Sequence, residues 1–296
     1  MPSIIVGLGE ILWDMLPDGK QLGGAPANFA YHCYALGLDN VNSTIISSVG
    51  NDRPGKEILN HFNKHRINID YLYRHNNYKT GSVTVTVDNQ GFPEYNIEQN
   101  VAWDFIPEIP ESFQKTVDTV CFGTLAQRSS VSRNHINKFL SSLPADSVKI
   151  FDINLRQSYF SLDIIQKSLN LANIFKINDD ELKIISKLMK ISGSEEYQLK
   201  TIARQYNIKL CILTKGHSGS FLYADGATSN HPGFKADIKD TVGAGDAFTA
   251  AIAISINKGF ELDQMNDCAN QVAAYVCTCS GATPKLPPEL INLFHQ

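Results

Sequence analysis

The run Asp240-Thr241-Val242-Gly243-Ala244-Gly245-Asp246-Ala247-Phe248 concentrates residue types suited to handling a phosphate. Ala247 to Ile254 continues as an apolar helix, and Thr241 or a neighbour is placed to cap its start. Gly243 and Gly245 are poor helix formers, so two of them at a helix start need a reason. Bare backbone there leaves the first-turn N–H groups of Gly243, Ala244 and Gly245 open to an anion, with help from the helix dipole. Asp246 stands beside that hole. A carboxylate repels a resting phosphate, but it can take the proton of an attacking alcohol. The dipole is expected to keep Asp246 ionised. The plain alternative is a capped helix with an acidic first turn, and spacing alone leaves both open.

Two other glycine-rich turns imitate nucleotide sites. Gly7-Leu8-Gly9 follows a strand as a dinucleotide turn would, but Leu12 holds the place of the third glycine, and Glu10 to Trp13 reads as continued strand. Gly50-Asn51-Asp52-Arg53-Pro54-Gly55-Lys56-Glu57 nearly spells a P-loop. It ends in Glu57 where a magnesium-binding hydroxyl is needed, and Asp52 would repel phosphates. Its glycines are better read as turn residues, with Pro54 opening the next helix.

The elements that hold these groups alternate. Short aliphatic runs at Ser3–Gly9, Ser43–Val49, Thr119–Phe122, Val148–Ile153, Ile174–Ile177 and Lys209–Leu213 are separated by stretches of helical periodicity. Examples of the latter are Ala27–Leu36, Lys56–Lys64, Val131–Leu143 and Leu162–Ala172. This alternation predicts an α/β chain with a mostly parallel sheet covered on both faces. Two consecutive helices, Ala244–Asn257 and Leu262–Cys279, close the pattern. Ser82 to Val87 breaks it by alternating strictly, with valines on one face, and Asp88 to Gly91 supplies a turn before Tyr95 and Ile97 restart the alternation. An isolated hairpin is marginal, so its valine face must pack on the segment Ile11–Leu16 and on a second subunit.

At this point two separated motifs become recognisable. Asp240 to Asp246 resembles the C-terminal signature of the ribokinase-like, or pfkB-type, carbohydrate kinases. Leu22-Gly23-Gly24-Ala25-Pro26-Ala27-Asn28-Phe29-Ala30, preceded by Glu10 and Asp14, resembles their N-terminal one. The resemblance spans the chain and implies a three-layer α/β/α core, residues 1–296 as one domain, and a β lid formed by about 10–24 and 79–104. It implies ATP with magnesium, and a potassium-type cation beside the anion hole. Carried over by position, Asp246 is the base and Gly243 to Gly245 are the anion hole. Asp14, Gly24, Asn28 and Asn51 hold the sugar. Asn178 and Glu181 position magnesium through water. Thr214, Lys215, Gly216 and Asn270 lie on the nucleotide side, and Asp240, Val242 and Gly281 form the cation loop. Lids in this family often clasp in pairs, which implies a homodimer.

The form Gly24-Ala25-Pro26, and Phe151-Asp152-Ile153-Asn154-Leu155-Arg156, resemble fructokinases. The second stretch also resembles 2-keto-3-deoxygluconate kinases, whose arginine meets a substrate carboxylate. Both groups tend to carry a lid arginine, yet none occurs between His75 and Gln127, and Glu98 stands in its vicinity. A neutral hexose, fructose first, is therefore expected, with an acidic sugar kept open by Arg128 and Arg156. Structural pairing is the alternative for both arginines. A catalytically silent sugar-binding homologue and a dinucleotide oxidoreductase are the readings from other classes.

The composition fits. With 26 Lys+Arg against 30 Asp+Glu and no dense basic block, neither nucleic acid nor anionic lipid has a footprint. Ala247 to Ile256, the longest nearly apolar stretch, is about half the ~20 residues that span a bilayer. The start of the chain carries no basic leader, and the six cysteines form no CxxC pair, which is expected of a cytoplasmic protein.

Overall fold

The computed structural model describes residues 1–16, 19–87 and 93–295. Its strands in chain order are β1 Ser3–Leu8, β2 Leu12–Leu16, β3 Gly19–Gly23, β4 Val41–Gly50, β5 Leu72–His75, β6 Gly81–Val87 and β7 Pro93–Ile97. They continue as β8 Thr119–Phe122, β9 Val148–Asp152, β10 Ile174–Asn178, β11 Leu210–Thr214, β12 Ser220–Ala224 and β13 Ala227–His231. A nine-stranded sheet runs β13-β12-β11-β10-β9-β8-β1-β4-β5, parallel from β11 to β5, with the last hairpin antiparallel at one edge.

Alternation along the central strands makes the layers. Ile5, Ile150, Ile174 and Ile212 face the helices Ala25–Gly37, Ala244–Lys258 and Leu262–Cys277. Their neighbours Val6, Phe151, Phe175 and Leu213 face Ser130–Ser142, Leu162–Leu171, Asp179–Met189 and Glu195–Tyr206. Both faces are thus covered, as the near-continuous aliphatic runs require. Gly7 and Gly9 serve this packing: a Cβ on Gly7 would sit 2.0 Å from the Pro26 carbonyl, and one on Gly9 2.9 Å from the Pro26 ring. They admit a helix, not a dinucleotide. The expected continuation of the first strand through Trp13 is corrected, because β1 stops at Leu8 and the chain enters a second sheet at Leu12. The edge hairpin β12–β13 went unread, although Asp225-Gly226, both at positive φ (47° and 92°), is hairpin chemistry.

The second sheet, β3-β2-β6-β7, is the lid. The hairpin β6–β7 pairs Val83 with Ile97, and β6 lies parallel to β2, so the expected segment is the hairpin's neighbour within one sheet. Leu12, Val83 and Ile97 are buried against Val101 and Trp103 of the main core. At Val83, therefore, the apolar stripe finds cover in its own chain and needs no second subunit. The predicted turn at 88–91 lies outside the described residues.

The P-loop look-alike is a joint between layers. Asp52 caps the helix Arg53–Lys64 by accepting the Gly55 N–H at 2.8 Å, and it also accepts the Thr80 N–H at 2.8 Å and the Thr80 hydroxyl at 2.6 Å. These bonds hold its carboxyl below the usual range against some burial. The acid occupies the place of a phosphate. Lid residues Trp13 and Lys20 reach the same helix through the Pro54 carbonyl and Glu57.

Candidate active site

Asp246 sits in the first turn of Ala244–Lys258, over the carboxyl ends of the central strands. Its Oδ2 accepts the Asn28 amide at 2.8 Å, a contact between residues 218 apart in the chain. Asn28 is 4% exposed, and its own Oδ1 is buried without a partner among the described residues. Burial, then the Asp152 carboxylate, push the Asp246 carboxyl up to about 7, against the Asn28 bond, Lys176 and Arg156. This corrects the expectation that the helix dipole keeps Asp246 ionised throughout: desolvation beats a half-charge at a helix end. A base with a pKa near neutrality suits proton transfer from an alcohol.

The anion turn is also partly revised. No side chain caps this helix, so Thr241 is not the cap; Gly243 is the capping position, in the left-handed region at φ 79°. The Ala244 N–H turns back to the Thr241 carbonyl at 3.3 Å, whereas those of Gly243, Gly245 and Asp246 carry no hydrogen bond among the described residues. The open donors are thus 243, 245 and 246, and Ala244 drops out. A Cβ on Gly243 would lie 2.5 Å from the Ala282 carbonyl, so this glycine is required by backbone crowding as well as by access. Asp240 closes the loop by accepting the N–H groups of Val242 and Gly281, each at 3.0 Å. The three residues expected to form a cation loop do meet, with both Asp240 oxygens engaged by backbone amides.

Of the residues expected to meet the sugar, Asp14 on β2 is partly buried, and burial raises its carboxyl to about 6 in spite of Arg156. Gly23 has to be small because a Cβ there would overlap Asp14 Oδ2 at 2.2 Å. Gly24, at φ 110°, packs on the Glu10 carbonyl. Asn51 is exposed and bonds Asn76 at 3.0 Å. Arg156 is exposed and donates to the Leu155 carbonyl at 3.0 Å, while its charge reaches Glu10, Asp14 and Asp246. Arg128 follows the structural alternative. Its Nε and Nη2 meet Asp104 at 2.8 and 2.9 Å, Nη2 also meets the Glu98 carbonyl, and the guanidinium stacks 3.9 Å above Trp103. Nη1 alone lacks a partner among the described residues. The Glu98 carboxylate pairs with Lys79 and Ser82, which blunts the repulsion expected of it.

Of the residues expected on the nucleotide side, Asn178 and Glu181 form a capping box: Asn178 Oδ1 accepts the Glu181 N–H at 2.8 Å, and Glu181 Oε2 accepts the Asn178 N–H at 3.0 Å. Glu181 Oε1 accepts the Leu155 N–H at 2.8 Å. Each oxygen keeps one lone pair, enough to accept from a metal-bound water; among the described residues no cluster of three or more His, Cys, Asp and Glu is placed to hold a metal ion. Thr214 ends β11, Gly216 turns at φ 54°, and Lys215 pairs with Glu195 at 2.8 Å. The Asn270 amide is buried and donates to Ser220 and Asn266, tying the helix Leu262–Cys277 to β12. An open groove of about 550 Å³ lies between 235–239 and that helix, walled by Lys235, Asp237, Tyr275 and Thr278.

The pfkB family carbohydrate kinase profile matches residues 18–289, which takes in both motifs and the turn described above. The chain belongs to the pfkB family of carbohydrate kinases. An uncharacterized sugar kinase of Pyrococcus horikoshii is 28% identical over 96% of this chain and 93% of its own. Its crystal structure superposes with a TM-score of 0.80, covering 95% and 94%. A fructokinase of Escherichia coli is 26% identical over 95% of each chain. A fructokinase of Xylella fastidiosa with bound ATP is 19% identical yet reaches a TM-score of 0.88 over 100% and 99%, and at that identity it speaks for the fold. The fold is ribokinase-like, as the sequence implies.

Sequence reading of this pfkB kinase missed the groove, whose residues carry no motif, and it noted Glu10 beside the N-terminal motif without giving it a role; Glu10 is 2% exposed, and its Oε2 has no partner among the described residues. Glu10, Asp152, Asn154 and Asp246 line a small cavity under the base. An acid inside an aliphatic run was the available signal for Glu10. All six cysteines are free, and among the described residues no helix is long and apolar enough to cross a membrane.

Proposed function

We propose that this carbohydrate kinase transfers the γ-phosphate of ATP to the terminal hydroxyl of a neutral ketohexose, making fructose 6-phosphate from fructose. The observation that carries the reading is the Asn28–Asp246 contact, which joins the sugar motif to a base beside open first-turn N–H groups. The alcohol lies against Asp246 with its oxygen in line with the γ-phosphorus. As the new O–P bond forms and the bond to ADP breaks, the hydroxyl proton passes to an Asp246 oxygen. The N–H groups of Gly243, Gly245 and Asp246 receive charge developing on the phosphoryl oxygens. Magnesium, when bound through water at Asn178 and Glu181, supplies neutralisation of the triphosphate. The groove beside the helix Leu262–Cys277 is our candidate for the nucleoside, and the Pyrococcus horikoshii relative has been seen with ATP.

Neutral sugar is favoured because Arg128 is held by Asp104 and the Glu98 carbonyl, which leaves Arg156 among the acids Glu10, Asp14 and Asp246. Coupled ADP release over fructose, ribose, 2-keto-3-deoxygluconate and adenosine tests this, with fructose expected to give the highest kcat/KM. Asn96→Arg, on the exposed face of β7, should raise activity on the acid relative to fructose; Ile97, buried in the core, is unsuited to the same change. A wild-type preference for the acid would make Arg156 its clamp and overturn the fructose assignment. We propose a homodimer clasped through the lid on the family resemblance alone, and a monomer by light scattering at micromolar concentration, with full activity, would refute it.

A further inference from the structure

Under the base lies a charged cluster that the transfer described above does not use. Lys176 and Asp152 stand opposite one another in the parallel register of β10 and β9, with Lys176 Nζ 3.1 and 2.9 Å from the two Asp152 oxygens. Their side chains are 9% and 7% exposed. The Thr249 hydroxyl, one helical turn after Gly245, lies 2.9 Å from both Asp152 Oδ2 and the Gly245 carbonyl. A Cβ on Gly245 would come within 3.0 Å of Lys176 Nζ. The ammonium therefore abuts the anion turn from below, and the carboxylate is linked to the same turn through Thr249.

We propose that Lys176 and Asp152 are positioning residues of the phosphoryl-transfer site, a fixed pair of opposite charges that steadies the anion turn through Thr249 and sets the proton affinity of Asp246 in opposite directions. The proposal rests on Asp246 being the base. Stability alone is a weak account of the pair, because a buried ion pair is often no more stable than apolar packing of the same volume. Its placement is better explained by charge. Asp246 is faced by Asp152 and Lys176 from the strand ends, Arg156 from the following loop, Glu10 across the small cavity, Cys121 from β8 and the Asn28 amide. Among these, Asp152 makes proton release from Asp246 harder, whereas Lys176, Arg156 and Asn28 make it easier. Lys176 stays cationic because Asp152, Glu181 and Asp246 together outweigh the burial that opposes its charge. When triphosphate brings further negative charge to the turn, Lys176 is the buried counter-charge nearest Gly245.

The test is the pH dependence of kcat/KM for the sugar in wild type, Lys176→Gln, Asp152→Asn, Lys176→Arg and Asp246→Asn. Glutamine is chosen because its amide can still donate to Asp152. The deprotonated carboxylate is the base, so wild-type activity should rise with pH through about 7. Losing the cation should move this limb up by at least about half a pH unit in Lys176→Gln, and losing the anion should move it down by a similar amount in Asp152→Asn. Lys176→Arg should keep the wild-type position. Limbs that coincide with wild type, or that move the same way, overturn the proposal. Residual Asp246→Asn activity should show no such limb; if the limb persists there, the base assignment itself is wrong. Should the charge variants fail to fold, Thr249→Val should lower kcat several-fold with the limb in place, and an unchanged kcat overturns the link to the turn.

Discussion

Asp246→Asn should lower kcat by at least ~10²-fold, because a positioned general base typically contributes 10²–10⁴-fold and nothing else in the site replaces it. The hydroxyl of a sugar holds its proton far above neutral pH, so it attacks poorly unless the proton leaves as the bond to phosphorus forms. Asparagine keeps the shape and loses the base. It can turn its own amide toward Asn28 Oδ1, which is buried without a partner, so the fold should tolerate the change. Sugar and ATP should still bind, with dissociation constants within a few-fold of wild type, because their other contacts remain. Rapid-quench measurement of the chemical step, alongside binding titrations, separates the two effects. A near-normal kcat would reduce Asp246 to a helix-start residue.

The second large effect concerns stability. Arg128→Met should cost about 3–5 kcal/mol in denaturant unfolding, because it leaves the Asp104 carboxylate buried and unpaired. Both side chains are nearly inaccessible, at 6% and 5%, and the guanidinium also covers Trp103. Removing the acid as well, in Arg128→Met with Asp104→Leu, should restore most of that loss, since an apolar pair of similar volume is often as stable as the ions it replaces. Stability close to wild type in Arg128→Met, with selective loss of activity on an acidic sugar, would instead make Arg128 a substrate ligand through its unpartnered Nη1.

Much of the architecture was legible because strands buried on both faces leave unbroken aliphatic runs. Thr119–Phe122 was read to the residue, and the others to within a residue or two. The crossing at Gly9 was not legible, since Ile11, Leu12 and Trp13 have strand character and only the Pro26 contact reveals that the chain leaves the sheet. The site divides in the same way. Asp246, Asn28 and Asp14 are marked by residue type and spacing, and the fold brings Asn28 against Asp246. The states of these groups are not so marked. The raised Asp246 carboxyl depends on burial and on Asp152, which sits in another strand. The fate of Arg128 depends on Asp104, Trp103 and Glu98 arriving from the lid connection. Lys176 looked like one polar residue in a strand until β9 brought Asp152 opposite it. Pairings of this kind are tertiary, and a local pattern carries no trace of them.

The contact between Asn28 and Asp246 also has a kinetic side. It joins positions 218 residues apart, and the turn it serves is backed by Ala282, whose carbonyl lies 2.9 Å from His32 Nε2. Such contacts are the slowest to close during folding, because the intervening chain must be ordered before they are rewarded. The neighbouring strand pairs, by contrast, can form from shorter loops. The candidate site is then expected to close late in folding, after the strand pairs that carry its residues.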